Sequence, residues 1–152
     1  MEMFRTEWCK LPPPVQWNWL LSEAGVVRGV HVHPLHDDYV VVASGTMHLG
    51  LRDLRRESQT EGVATVVALQ VDNPIAVTIP HGVAHGFCYV ERSLVLVGVN
   101  RPYDPQDELG CHWQDPALEI SWPIHKAMLS PRDASAGPLT DLLERVEPWQ
   151  PF

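Results

Sequence analysis

Between residues 26 and 100 the chain is a succession of short apolar runs separated by turn signals. The runs Val26–His33, Tyr39–Ala43, Thr46–Leu54, Val63–Leu69, Ile75–Ile79, His85–Val90 and Leu94–Asn100 are rich in Val, Ile, Thr and aromatic residues. Such residues suit a pleated, half-buried surface and predict strands. Ser44-Gly45, Asp72-Asn73-Pro74, Pro80-His81-Gly82 and Glu91-Arg92-Ser93 supply the turns. Leu11–Pro14 is an extended, Pro-rich lead-in. After Asn100 the texture changes, and Arg101–Pro123, rich in Pro, Asp and Trp, reads as an ordered wrap. A short peripheral helix is predicted over Leu139–Val146, with Thr140 as its cap and Leu142, Leu143 and Val146 as a narrow apolar stripe. The pattern predicts an all-β sandwich or barrel in a single domain over 1–152. The barrel spans about 16–100, and the wrap and short C-terminal helix span 101–152.

Composition narrows the function classes. A chain of 152 residues suits one core, and fourteen prolines work against long helices. The net charge of −8 argues against a nucleic-acid binder, because a phosphate backbone would go unneutralised. Arg52, Arg55 and Arg56 read as a solvated strand end. Three cysteines, Cys9, Cys88 and Cys111, have no paired spacing and point to a reduced, cytoplasmic chain, with Cys88 an inert packing residue. Met1–Lys10 has no apolar run resembling a signal peptide, and no stretch approaches the length of a membrane span. Trp8, Trp17, Trp19, Trp113, Trp122 and Trp149 are core or interface material, and Trp17 and Trp19 share one strand face that could wall a pocket.

The candidate chemistry lies in Gly25-Val-Val-Arg-Gly-Val-His31-Val-His33-Pro-Leu-His-Asp-Asp38 and in Pro80-His81-Gly82-Val83-Ala84-His85. His31 and His33 stand two apart, so a strand presents both on one face. Asp38 follows at the start of the next strand, and His85 comes after a turn. Three imidazoles and a carboxylate are a plausible shell for a divalent metal such as zinc, iron, nickel or manganese. The alternative is that these histidines are hydrogen-bonded interior residues. His36, His48, His81, His112 and His125 show no comparable spacing.

These spacings resemble both signature motifs of the cupin superfamily. Gly25, His31, His33, Asp38 and Gly45 fill the first, with Asp38 where Glu is usual. Pro80, Gly82 and His85 fill the second, with Tyr89 where Asn is usual. The resemblance implies a cupin jelly-roll barrel. A narrower resemblance, to the dTDP-4-dehydrorhamnose 3,5-epimerase family, is carried by several further motifs. They are Gln16-x-Asn18, Gly25-Val26-x-Arg28-Gly29-Val30-His31, Leu51-x-Asp53-Leu54-Arg55-Arg56-x-Ser58 and Ile79-Pro80-x-Gly82-x-Ala84-His85-Gly86-Phe87. Asp115-Pro116-Ala117-Leu118, Trp122-Pro123 and Leu129-Ser130-x-x-Asp133 continue it. That family epimerises nucleotide-linked 4-keto-6-deoxy sugars without a metal, using a histidine base, an orienting aspartate and a tyrosine acid. The resemblance implies His31 as base and Asp133 as its partner, with Arg28, Gln16, Asn18, His85 and Tyr103 lining the substrate site. It also implies a homodimer.

The departures are specific. The acid tyrosine falls at Val97, the active-site lysine falls near Asp38, a usual Gln falls at His33, and the family's N-terminal segment is largely missing. His33 and Asp38 complete the metal set, so a metal ion in place of the cationic side chain accounts for both changes. Tyr89, four residues after His85, is a candidate replacement acid. Arg28 differs in parity from His31 and needs a bulge to reach the same side. The leading reading is an isomerase or epimerase acting on a keto sugar, or a similar carbonyl compound, through an enolate, with a divalent metal at His31, His33, Asp38 and His85. No organic cofactor is implied. A metal held through the reactive nitrogen of His31 would conflict with its role as base. The alternatives are a metal-dependent cupin oxygenase or lyase and a non-catalytic small-molecule-binding cupin.

Overall fold

The structure, a computed structural model, describes residues 2–146; Trp149 and the expected wrap from 147 onward lie outside them. Among the described residues, nine strands form two antiparallel sheets. They are β1 (Gln16–Ser22), β2 (Val27–Val32), β3 (Asp38–Ser44), β4 (Thr46–Asp53), β5 (Ala64–Gln70), β6 (Ala76–Ile79), β7 (Val83–Tyr89), β8 (Ser93–Val99) and β9 (Leu109–Gly110). Two helices follow, α1 (Pro131–Ala134) and α2 (Leu139–Val146). One sheet has the order β1-β8-β3-β6 and the other β5-β4-β7-β2-β9. No helix among the described residues is long and apolar enough to cross a membrane.

Strand alternation explains the layers. Val40, Val42, Met47, Leu49, Phe87, Tyr89, Val95 and Val97 face one another between the sheets and form the inner core. The other face of β2 and β7 presents Val27, Val30, Val32, Ala84 and Cys88. Trp113, Leu118, Leu139, Leu142 and Val146 from the C-terminal wrap cover it in a second core. Covered on both faces, β7 is buried at all of its positions. Burial pushes the Cys88 thiol up to about 11, as suits a packing residue. Gly45, at φ +78°, makes the sharp corner between β3 and β4, where a left-handed backbone favours glycine.

β1 lies within the barrel expected from about residue 16, though outside the runs named from residue 26 onward; it pairs with β8 from Gln16↔Val99 to Ser22↔Ser93. Three differences from the sequence reading have physical causes. Helix α2 starts at Leu139, so Thr140 lies inside it, and the cap comes from another segment. Asp115 Oδ2 accepts from Leu139 N at 2.7 Å, while Asp115 Oδ1 accepts from Ala117 N at 2.8 Å. The helix is also less peripheral than expected, because Leu139, Leu142 and Val146 are buried while Leu143 is exposed. The arginines near the end of β4 are paired rather than merely solvated. Arg55 donates to Asp53 through Nε at 2.9 Å and Nη2 at 2.8 Å, and Arg52 pairs with Glu119.

Gly50 in β4 tests the wrap's docking. A Cβ there would lie 2.4 Å from Trp122 Cη2 and 2.9 Å from Ile120 Cγ2. Gly50→Ala should therefore destabilise by about 1–3 kcal/mol in urea unfolding. An unchanged midpoint would mean that Trp122 does not pack there.

Candidate active site

A cavity of about 820 Å³ opens between the sheets, walled by β1, β3 and β8 on one side and by β2 and β7 on the other. The wrap adds Tyr103, Glu108 and part of the segment around α1. A bulge in β2 decides which side chains enter. Gly29 pairs with Gly86 and His31 with His85, leaving Val30 as an extra residue. That residue reverses the parity, so Arg28 and His31 both line the cavity despite their odd separation. Arg28 Nε donates to Ser22 Oγ at 3.0 Å.

His31 is held by charged groups from the wrap. Its Nε2 lies 2.7 Å from Asp133 Oδ1, and its Nδ1 lies 3.1 Å from Glu108 Oε1. Asp133 is buried on α1, whose first turn Ser130 caps by accepting from Asp133 N at 3.1 Å. Burial pushes the Asp133 carboxyl up, but the His31 contact outweighs it and the net shift is downward. Glu108 accepts from Arg132 Nη1 at 2.5 Å, Arg132 Nη2 at 2.8 Å and the Tyr103 hydroxyl at 2.9 Å. Burial pushes Glu108 up, yet Arg132 and then His31 bring it down to about 2. Arg132 Nη2 also stands 2.7 Å from His31 Nε2. One ring nitrogen cannot donate to Asp133 and accept from Arg132 at once. Arg132, half-exposed, is the partner freer to yield.

A second histidine group surrounds Asp38. His85 Nε2 lies 3.2 Å and His33 Nε2 3.5 Å from Asp38 Oδ2, and His36 Nε2 lies 3.6 Å from Oδ1. The opposite nitrogen of each ring is engaged. His33 Nδ1 faces the Asp107 carbonyl at 3.1 Å, His85 Nδ1 faces the Val83 carbonyl at 3.1 Å, and His36 Nδ1 faces Asp107 Oδ2 at 2.7 Å. Burial, then the charge of His85, pushes His33 down to about 3, and burial also lowers His85. His36 shifts upward, because Asp38 and Asp107 outweigh its desolvation. Burial pushes Asp38 up, but the surrounding histidines, His36 foremost, bring it down. His33, Asp38 and His85 place one ligand atom each within 4.8 Å of one another.

His31 does not join that group, which corrects the expected four-residue metal set. The bulge delivers its ring to Asp133 and Glu108 instead. Tyr89 is corrected too. It shares an inward face with His85, as expected, but is fully buried in the inner core and does not line the cavity. Burial pushes its hydroxyl up from the ordinary value, and the neighbouring Ser22 and Arg28 offset this only in part. Gln16, Asn18, His85 and Tyr103 all line the cavity, as does Val97. Gln16 Nε2 donates to Asn18 Oδ1 at 2.9 Å, and Gln16 Oε1 accepts from Tyr103 N at 3.0 Å. Trp17 and Trp19 touch the cavity but are exposed, and Trp17 packs edge-on against Phe4 and Tyr39. Sequence reasoning missed His36, Asp107, Glu108 and Arg132. All four lie outside the strands, where no periodicity marks them.

Residues 1–141 match the family profile described as dTDP-4-dehydrorhamnose 3,5-epimerase. The chain belongs to this family. A dTDP-4-dehydrorhamnose 3-epimerase from Streptomyces niveus is 38% identical over 125 residues, covering 80% of this chain and 60% of that protein. A dTDP-4-dehydrorhamnose 3,5-epimerase from Neisseria gonorrhoeae is 35% identical over 141 residues, covering 88% and 43%. The chain thus spans 60% and 43% of the lengths of these two members of the epimerase family. Among solved structures, dTDP-6-deoxy-D-glucose-3,5-epimerase from Legionella pneumophila, in complex with dTDP-4-keto-L-rhamnose, superposes with a TM-score of 0.88. It is 29% identical and the match covers 99% of this chain and 84% of that one. A 4-keto-6-deoxy sugar epimerase from Streptomyces spheroides gives a TM-score of 0.84 at 31% identity, covering 99% and 79%. The fold is accordingly the cupin-like jelly roll of the epimerase family.

The Glu108 contacts carry a pH signature. Its folded-state value lies below the ordinary 4.5, so its stabilising contribution is full above 4.5 and is lost as pH falls through about 2. Urea unfolding from neutral pH downward should show the wild type more stable than Glu108→Gln, with the gap closing across that window. A gap independent of pH would mean that the charge of Glu108 contributes nothing.

Proposed function

We propose that this chain is an isomerase or epimerase that enolises a nucleotide-linked 4-keto-6-deoxy sugar beside its ketone. The observation that carries the reading is the 2.7 Å contact between His31 and buried Asp133 inside a cavity of ligand size. The names of the family's members support it, and favour this class over an oxygenase or lyase. In this reading the substrate takes the place of Glu108 beside His31 Nδ1, the nitrogen not held by Asp133. Nδ1 then takes the proton from the carbon next to the carbonyl, and the electron pair moves to the carbonyl oxygen. Asp133 fixes the ring's tautomer and stabilises the imidazolium that forms. Arg28 supplies a donor fork suited to the diphosphate, and Gln16 and Asn18 offer hydrogen bonds to the sugar or base.

Val97 lines the cavity but can donate no proton. Reprotonation therefore draws on His31 itself or on another ionisable cavity group. Return of the proton by His31 to the same face retains configuration, whereas inversion needs a donor on the other face. Val97 also favours a second reading, a barrel that binds the sugar nucleotide without turnover. The homodimer is part of the proposal: β1 is a sheet edge, and its Trp19 and Leu21 are 73% and 52% exposed. Light scattering at the mass of a single chain would refute that part.

Incubation with dTDP-linked 4-keto-6-deoxy sugars in D₂O, followed by NMR, tests the chemistry. Deuterium should enter beside the ketone, and His31→Asn should slow this by about 10²–10⁴-fold. Binding of dTDP with no exchange in the wild type would leave the non-catalytic reading, and exchange at full rate in His31→Asn would remove His31 as base.

A further inference from the structure

We propose that His33, Asp38 and His85 form a divalent-metal site in the wall of the cavity, built without His31. The proposal does not depend on the identity of the sugar.

The argument begins with hydrogen-bond capacity. A neutral imidazole has one N–H and one lone pair. The Nδ1 atoms of His33 and His85 each face a backbone carbonyl at 3.1 Å, and a carbonyl can only accept. Nδ1 therefore carries the proton, and the lone pair sits on Nε2. Both Nε2 atoms point at Asp38 Oδ2, at 3.5 and 3.2 Å. Two imidazole lone pairs and a carboxylate oxygen thus converge in a buried place with no proton of their own to share. A cation among them turns three repulsive contacts into three bonds.

The spacing fits that cation. Ligand atoms bonded at about 2.1 Å stand about 3.0 Å apart in octahedral and about 3.4 Å apart in tetrahedral geometry. The two distances to Asp38 lie near these values, and all three ligand atoms fall within 4.8 Å of one another. The surrounding contacts resemble those that orient metal ligands. Carbonyls fix the tautomers of His33 and His85, and His36 stacks on His33 with ring centroids 4.0 Å apart. Asp107 Oδ2 anchors His36, which faces the other Asp38 oxygen. Two imidazoles and one carboxylate suit first-row divalent ions better than calcium or magnesium, which prefer oxygen alone. All three side chains line the cavity, so the remaining coordination positions are open to an oxygen donor such as a carbonyl or hydroxyl.

The full chain, purified without a histidine tag and stripped with chelator, is titrated with cobalt(II) and followed by its visible absorption. Zinc competition and elemental analysis supply the stoichiometry. The expected result is about one ion per chain, with affinity lowered about tenfold or more in His33→Ala and in the near-isosteric Asp38→Asn. His31→Ala should bind as the wild type does. Circular dichroism establishes that each variant is folded. Folded wild type that takes up neither cobalt nor zinc would overturn the proposal, as would equal loss of binding in His31→Ala. The readout is metal uptake, so its failure leaves the enolisation reading standing, and failure of deuterium exchange leaves the metal site standing.

Discussion

Burial of β7 on both faces is the constraint on which the rest of the structure depends. One face sends Phe87 and Tyr89 into the inner core, and the other gives Ala84 and Cys88 to the second core. A slip of one residue would exchange these two sets, so register is strongly specified. β2 is paired to this fixed strand and inherits its position. The bulge between Gly29 and His31 then acts against a rigid neighbour, and the His31 ring is sent to one place. Gly86 marks how close the layers come, since a Cβ there would lie 3.1 Å from both the Arg28 carbonyl and Trp122 Cη2.

Much of this fold was legible because alternation of apolar residues is a local signal. The runs from Val26 to Asn100 correspond to β2 through β8 with end shifts of one or a few residues, and the helix over Leu139–Val146 is present. The cap of that helix was not legible. Asp115 is distant in sequence, and nothing near Leu139 announces it. The site divides in the same way. The His31–Asp133 contact followed from a resemblance spanning both segments, whereas periodicity alone would have turned Arg28 outward. The period-two rule placed Tyr89 on the correct face but could not say how deep along the barrel it lies. His36 stands in the loop between β2 and β3, where side-chain direction is set by tertiary contacts rather than by strand geometry.

The histidines fall into two populations with different electrostatic surroundings. His31 sits between two carboxylates and beside an arginine, so both of its ring nitrogens face charged side chains. His33 and His85 are buried, with their Nδ1 atoms committed to carbonyls, an arrangement that keeps a ring neutral and its lone pair directed. The base and the metal ligands proposed above are therefore different side chains, and no imidazole is asked to be ligand and base together.

Asp107 and Glu108 are neighbours in the chain but serve different histidines. The Asp107 carbonyl faces His33, its carboxylate meets His36 and the backbone N–H of Leu35, and Glu108 meets His31. One dipeptide therefore acts as a clasp that registers both groups at once. Together with Asp133 it emerges from the ribosome after every strand of the inner core. The last third of the chain therefore supplies both the cover of the second core and all but one of the carboxylates that meet the cavity's histidines.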